Sequence, residues 1–179
     1  MNNQPASCTP FPLPDGRLIV FRSLVPADEA LIAEAIRTSS RATLRHRFFI
    51  PLRGVAPEEL HRMLTLDPAR DFCLVGELQA PPVRRIVGGA RYVRLADPAT
   101  AEIALTVHDD FQRQGIGRRL LSLLVEQGRR DGLHTFVAEV MAENTAMLHL
   151  LQRLAPGRRS TFSAGICHVE FDLAAVAAD

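Results

Sequence analysis

The stretch from Ala101 to Arg130 constrains the fold more than any other part of the chain. In residues 102–107, Ile103, Leu105 and Val107 alternate with Glu102, Ala104 and Thr106, the two-residue period of a strand with one buried face. A Gln-x-x-Gly-x-Gly turn follows, written here Gln112-Arg113-Gln114-Gly115-Ile116-Gly117. Beyond it Ile116, Leu120, Leu121, Leu124 and Val125 recur at helical spacing, while Arg118, Arg119, Glu126, Arg129 and Arg130 mostly face water. The spacing predicts a strand running through a glycine turn into an amphipathic helix over 115–130. Such a turn is an anion site. The first N–H groups of the helix have no partner within it, the helix dipole adds partial positive charge, and glycine lets a pyrophosphate reach the backbone.

Motif chemistry narrows the anion. A dinucleotide fingerprint requires glycine at position 120, which is Leu120. A Walker A loop requires lysine, and every one of the 21 basic residues is arginine. The lack of lysine also excludes a Schiff base and self-modification on a lysine side chain. Tyr92 is the one tyrosine and there is no tryptophan, so aromatic proton donors are scarce.

Elsewhere the pattern predicts a strand at 17–21, a helix opened by Pro26 and Asp28, and a helix from Pro57 with Leu60, Met63 and Leu64 buried. Strands follow at 72–78 and 83–95, broken by Pro81-Pro82, with Gly88-Gly89 as a bulge or bend. A strand at 136–140, a helix at 143–154 and a closing strand at 166–173 complete one α/β or α+β domain around a single sheet. Residues 1–16 read as a loose tail, 17–173 as the domain and 174–179 as a second tail. The arginine-rich stretch 37–53 is either a solvated face or a hold on an acidic substrate or partner.

A formal net charge of +1 gives no case for nucleic acid, and no apolar run approaches the ~20 residues of a membrane span. Cys8, Cys73 and Cys167 form neither a disulfide framework nor a metal pattern, so a reducing cytoplasm is expected and no metal. Cys73 and Cys167 read as core filling. The six histidines lack ligand spacing, and each reads as a surface or capping residue; His108 and His149 are reserve candidates near the motif. Ser39, Ser40 and Thr43 have no His/Asp partner pattern for a hydrolase triad.

Strand, Gln-x-x-Gly-x-Gly turn and helix together resemble the acetyl-CoA site of the GNAT superfamily of N-acetyltransferases. Ala101–Val107 looks like that fold's fourth strand, and Glu143-Asn144-Thr145-Ala146-Met147-Leu148 its later Asn-bearing helix. Arg22-Ser23-Leu24-Val25-Pro26-Ala27-Asp28, Ser39-Ser40 and Arg47-Phe48-Phe49 are similar to the catalytic domain of bacterial protein lysine acetyltransferases. The resemblance implies a mixed, mostly antiparallel sheet flanked by helices and splayed between the fourth and fifth strands. It implies that the backbone of Leu105, Thr106 and Val107 pairs with pantetheine, that Gln112, Arg113, Gln114, Gly115, Ile116, Gly117 and Arg118 cradle the pyrophosphate, and that Asn144 binds the cofactor from the next helix.

The implied reaction is acetyl transfer from acetyl-CoA to a primary amine, a protein lysine first and a small-molecule amine as the alternative. An ammonium near pKa ~10.4 must lose a proton before attack, so a base is required. By the same resemblance Glu102 is that base, and Glu139, five residues before Asn144, is its rival; their plain alternatives are a solvated strand-edge carboxylate and an arginine-paired strand residue. Many members carry a tyrosine acid seven residues after the asparagine; here Leu151 stands there. Ala155-Pro156-Gly157 replaces the usual Gly-Phe. Those departures keep a non-catalytic acyl-CoA sensor in view, against which the retained Glu102 speaks. Monomer and homodimer are both open.

Overall fold

The computed structural model describes residues 10–49, 57–80 and 83–176. Their strands are β1 (Phe11–Pro12), β2 (Leu18–Ser23), β3 (Asp71–Ala80), β4 (Val83–Arg94), β5 (Thr100–Val107), β6 (Thr135–Met141), β7 (Arg159–Ser163) and β8 (Ile166–Asp172). They form one eight-stranded sheet in the order β1-β2-β3-β4-β5-β6-β8-β7. Neighbours are antiparallel except β5 and β6. The helices are α1 (Glu29–Thr38), α2 (Arg41–Phe48), α3 (Pro57–Leu64), α4 (Ile116–Arg130) and α5 (Thr145–Leu154). This is the mixed α/β architecture expected. Among the described residues no helix is long and apolar enough to cross a membrane.

Alternation along the strands gives the sheet two faces with different partners. Tyr92, Ile103, Phe136, Val169 and Phe171 are buried with Leu120, Leu121 and Leu124 of α4, and the rings of Tyr92 and Phe136 lie 5.9 Å apart. Each fully buried Leu or Phe here contributes roughly 1.5–3 kcal/mol. Gly88 permits the close approach of this layer, since a Cβ there would stand 2.9 Å from the Thr106 carbonyl oxygen and 3.2 Å from Leu120. The opposite face carries Cys73, Arg91, Ala104 and Thr106 under α1 and α2.

The connection β5–α4–β6 makes the parallel pair, as a crossover helix must. That pair is short. Thr100, Ala101 and Glu102 face Thr135, Phe136 and Val137, and the pairing ends there. Beyond Glu102 the two strands part, which is the splay expected between the strands at 102–107 and 136–140. Backbone groups along the β6 side of Ile103–Val107 therefore lack a strand partner, and such groups need one.

Four parts of the fold were not foreseen. Phe11–Pro12 pairs with β2 and Leu13 is buried, so the fold begins ahead of residue 17. At the other end Val176 is buried and the Arg129 guanidinium donates to the Leu173 and Val176 carbonyls, so it continues past 173. In both places isolated apolar residues reach the core from segments whose composition reads as tail. Helix α2 has little apolar periodicity; Ser40 caps it by accepting from Thr43 N–H at 3.1 Å, and Phe49 ends it in the left-handed region at φ 62°. Strand β7 is exposed throughout and so lacks an alternating signal. The expected irregularity at Gly88-Gly89 falls one residue earlier: Gly76 pairs with Gly88 and Glu77 with Ile86, leaving Val87 as the extra residue. The Pro81-Pro82 break, Cys8, residues 50–53 of the arginine-rich stretch and the outer parts of both tails lie outside the described residues.

Candidate active site

The turn between β5 and α4 is held open from behind. Asp109, in a single 3-10 turn at Asp109–Phe111, accepts from Ser40 N–H at 2.8 Å, Ser40 Oγ at 2.6 Å and Thr43 Oγ1 at 2.8 Å. Burial pushes the Asp109 carboxyl up, but these hydrogen bonds outweigh it and hold the group below the usual carboxylate value. Gln112 Nε2 donates to the Val107 carbonyl at 3.1 Å and to Thr43 Oγ1 at 3.2 Å. Ser40 and Thr43, which offered no triad, thus anchor the turn to α2, whereas Ser39 Oγ donates to the Ala35 carbonyl at 2.7 Å. Asp109→Ala strands these donors and is expected to cost about 1–3 kcal/mol, read as a lower urea midpoint.

In front, the turn presents backbone. Gly115 is the N-cap of α4 at φ 83°, and no side chain caps the helix. Glycine is required there, because the conformation disfavours a side chain and a Cβ would lie 3.1 Å from Phe11 Cζ. Arg113 also sits in the left-handed region, at φ 60°, a strain of order 1 kcal/mol that collects at functional turns. Arg113 and Arg118 are exposed, Gln114 is half-buried with its amide donating to the Asp110 carbonyl at 3.1 Å, and Ile116 is a core residue. Of the seven turn residues expected at the pyrophosphate, the side chains of Gln112, Gln114 and Ile116 are therefore committed to the protein, leaving their backbone for a ligand. Gly117 lies beside Leu105, Val107 and Leu150 at ordinary contact distance for a Cβ.

On the face under α1 and α2 a cavity of about 110 Å³ opens between the helices and β3–β5. Leu24, Ile32, Ile36, Phe48, Leu64 and Val75 give it apolar walls, and Arg47, Cys73, Arg91, Thr106 and His108 add polar groups. Cys73 is therefore a groove residue rather than pure core filling, whereas Cys167 is core. Burial pushes the Cys73 thiol up to about 11. Its alkylation by iodoacetamide at pH 8, followed by peptide mass spectrometry, is expected to run roughly 100-fold slower than that of an unperturbed thiol. His108 is buried, its Nε2 lies 3.1 Å from Thr38 Oγ1, and its Nδ1 accepts from Asp110 N–H at 3.3 Å.

Glu102 is exposed at the fork where β5 leaves β6, on the strand face that carries Ala104 and Thr106 into the groove. Its charge acts on Arg47 of the groove wall. Glu139, two residues beyond Val137 on β6, shares this face but is bound to a neighbour, its Oε1 2.6 Å from His168 Nδ1 on β8. The partner is a histidine rather than the arginine envisaged. The two carboxylates are thus placed around one fork, one open and one paired.

The sequence profile of the Acetyltransferase (GNAT) family matches residues 39–155, which hold α2 of the groove roof, both forked strands and the turn. The chain belongs to the GNAT acetyltransferase family. An acetyltransferase of Pseudomonas aeruginosa is 28% identical over 138 residues, 77% of this chain and 74% of its own length. Acetyltransferase Pat of Mycolicibacterium smegmatis is 31% identical over 153 residues, 83% of this chain and 45% of that one, so this chain spans under half of it. The solved GNAT domain of S. lividans PAT shares the fold with a TM-score of 0.80 at 24% identity, covering 92% of this chain and 96% of that domain.

A GNAT enzyme is an acyltransferase that draws on acetyl-CoA, and the site's geometry suits that co-substrate: an uncapped helix N-terminus for phosphate and an unpaired strand edge for the amides of pantetheine. Asn144 stands at the start of α5 and accepts from Met147 N–H at 3.2 Å, so its Oδ1 serves as a helix cap and only its Nδ2 is left to donate to a ligand. Leu151, in place of the tyrosine acid many GNAT members carry, is fully buried. After Ala155, β7 and β8 close as an antiparallel hairpin without the Gly-Phe.

Proposed function

We propose that this GNAT enzyme transfers acetyl from acetyl-CoA to a lysine side chain of a protein, with Glu102 as general base. The observation that carries the reading is the place of Glu102, exposed at the fork of β5 and β6 on the strand face whose next members, Ala104 and Thr106, line the apolar groove. The walls from Ile32, Ile36, Phe48 and Val75 suit the four-carbon stem of a lysine, which packs on apolar surface while its nitrogen seeks a polar partner. The likeness of residues 22–28, 39–40 and 47–49 to bacterial protein lysine acetyltransferases, and the relative named Acetyltransferase Pat, support the same acceptor.

In this mechanism the α4 N-terminus and the turn at 113–118 hold the diphosphate, and Leu105–Val107 hold the pantetheine arm by backbone hydrogen bonds. Acetyl-CoA supplies an electrophilic thioester carbon. Glu102 takes a proton from the acceptor ammonium, directly or through water, and the freed amine attacks that carbon. The new C–N bond forms first, the C–S bond then breaks, and the CoA thiolate departs without a tyrosine acid, taking up the second proton released from the acylated nitrogen directly or through water. A backbone N–H of the Leu105–Val107 strand steadies the developing oxyanion.

Incubating the protein with labelled acetyl-CoA and bacterial lysate, then mapping labelled peptides by mass spectrometry, is expected to yield ε-acetyl-lysine. Label confined to small amines would replace the acceptor class. The buried Leu151 favours one other reading, a sensor that binds acetyl-CoA without turnover. CoA binding by calorimetry with no thiol release on any amine would establish it.

A further inference from the structure

Among the described residues of the arginine-rich stretch, Arg47 is the arginine that lines the acceptor groove. Arg37 is paired with Glu34 and Arg45 with Glu143, both at the surface. Arg91, also in the groove, donates to Asp71 at 2.8 Å. Arg47 is different. It is half-buried against the Phe48 ring, 5.1 Å from the centroid, and no carboxylate among the described residues lies within ion-pair distance of it.

The surroundings make that cation expensive. Burial pulls the Arg47 guanidinium below its ordinary value and the charge of Arg91 pulls it further, while Glu102 and a Cys73 thiolate would oppose the shift. Cys73, however, is held protonated, so Glu102 is the anion left to act on it. Arginine stays charged under such pressure, and a desolvated charge is destabilising until it is matched. Its planar fork of donors fits a carboxylate with two parallel hydrogen bonds. Ile36, Leu44 and Val75 line the same groove and carry no acceptor side chain, and no carboxylate is among its lining residues.

We propose that Arg47 is a carboxylate subsite of the acceptor groove, so that the enzyme prefers amines carrying a carboxylate a few bonds from the reacting nitrogen. The groove then has two poles, Glu102 for the ammonium and Arg47 for the carboxylate. This deepens the lysine reading and rests on it. The carboxylate comes either from an acidic residue beside the target lysine or from the α-carboxylate of a free amino acid.

The test titrates Nα-acetyl-lysine and its C-terminal amide into the CoA complex of the wild type, Arg47→Gln and Arg47→Lys, with acetyl transfer to the ε-amine followed in the same samples. The wild type is expected to bind the acid about tenfold more tightly than the amide, Arg47→Gln to bind both alike, and Arg47→Lys to keep part of the preference. Should Arg47→Gln melt early, Arg47→Lys against wild type carries the comparison. A peptide pair with the lysine flanked by Asp or by Asn separates the sources: preference for the Asp peptide points to a protein acceptor, preference for the free acid alone to an amino acid. Equal affinity for acid and amide, or no binding of either, overturns the subsite. A preference in binding with no ε-acetylation keeps the subsite and overturns the lysine reading; ε-acetylation with no preference does the reverse.

Discussion

Glu102→Gln is expected to lower kcat by about 10²-fold or more, the usual worth of a positioned general base, with KM for acetyl-CoA little changed. The amide keeps the shape of the side chain and cannot take a proton from the ammonium. Because Glu102 is exposed on β5, the variant should melt with the wild type, so lost rate cannot be traced to lost fold. Glu139→Gln is the control, expected to stay within a few-fold because its carboxylate already pairs with His168. The opposite result, rate kept by Glu102→Gln and abolished by Glu139→Gln, moves the base to β6.

Asp28→Ala should cause the largest loss of stability, about 3–5 kcal/mol, or a Tm lower by roughly 10 °C. Asp28 is 1% exposed and accepts from Arg22 at 2.6 and 2.7 Å and from Val25 N–H at 3.1 Å. Arg22 also donates to Glu77 at 2.8 Å, and Glu77 accepts from Arg84 at 2.6 Å, so one network joins β2, β3, β4 and the turn leading into α1. Removing Asp28 leaves the half-buried Arg22 with Glu77 as its remaining carboxylate partner. Burial pushes Asp28 up, but the hydrogen bonds and charge around it prevail and hold it below the usual range; Arg84 and then Arg22 do the same for Glu77. Folded values below unfolded ones mean stability that is complete above about pH 5 and is lost as pH falls through the folded values. Thermal melts between pH 7 and 3 should show this slope in the wild type and a shallower one in Asp28→Ala.

The fold was legible where side chains alternate between core and water. The strand at 102–107, the turn and the helix at 116–130 can be read from period and glycine alone, because each buries one face and the turn demands a residue without Cβ. Helix α2 was not legible: it has no apolar stripe, and its stability depends on Ser40 and Thr43 meeting Asp109, 66 residues beyond Thr43. The edge strands β1 and β7 were not either, since a two-residue strand and a fully exposed one have no period to detect.

The candidate site divides in the same way. Residues 102 and 112–118 could be named from spacing and resemblance, and so could both glutamates. That Glu139 spends its charge on His168, that Gln112 turns inward to Val107, and that Asn144 caps α5 are pairings between side chains and backbone that spacing does not encode. The amino-acid order by itself determined the elements that carry an apolar period and the glycine turn between two of them, because local sterics and hydrophobic period act within a few residues. Only the tertiary structure decided which carboxylate stays open and that Arg47 lines the groove under α1 and α2 with no carboxylate among the described residues in ion-pair distance, because pairing and desolvation depend on neighbours brought together from distant parts of the chain.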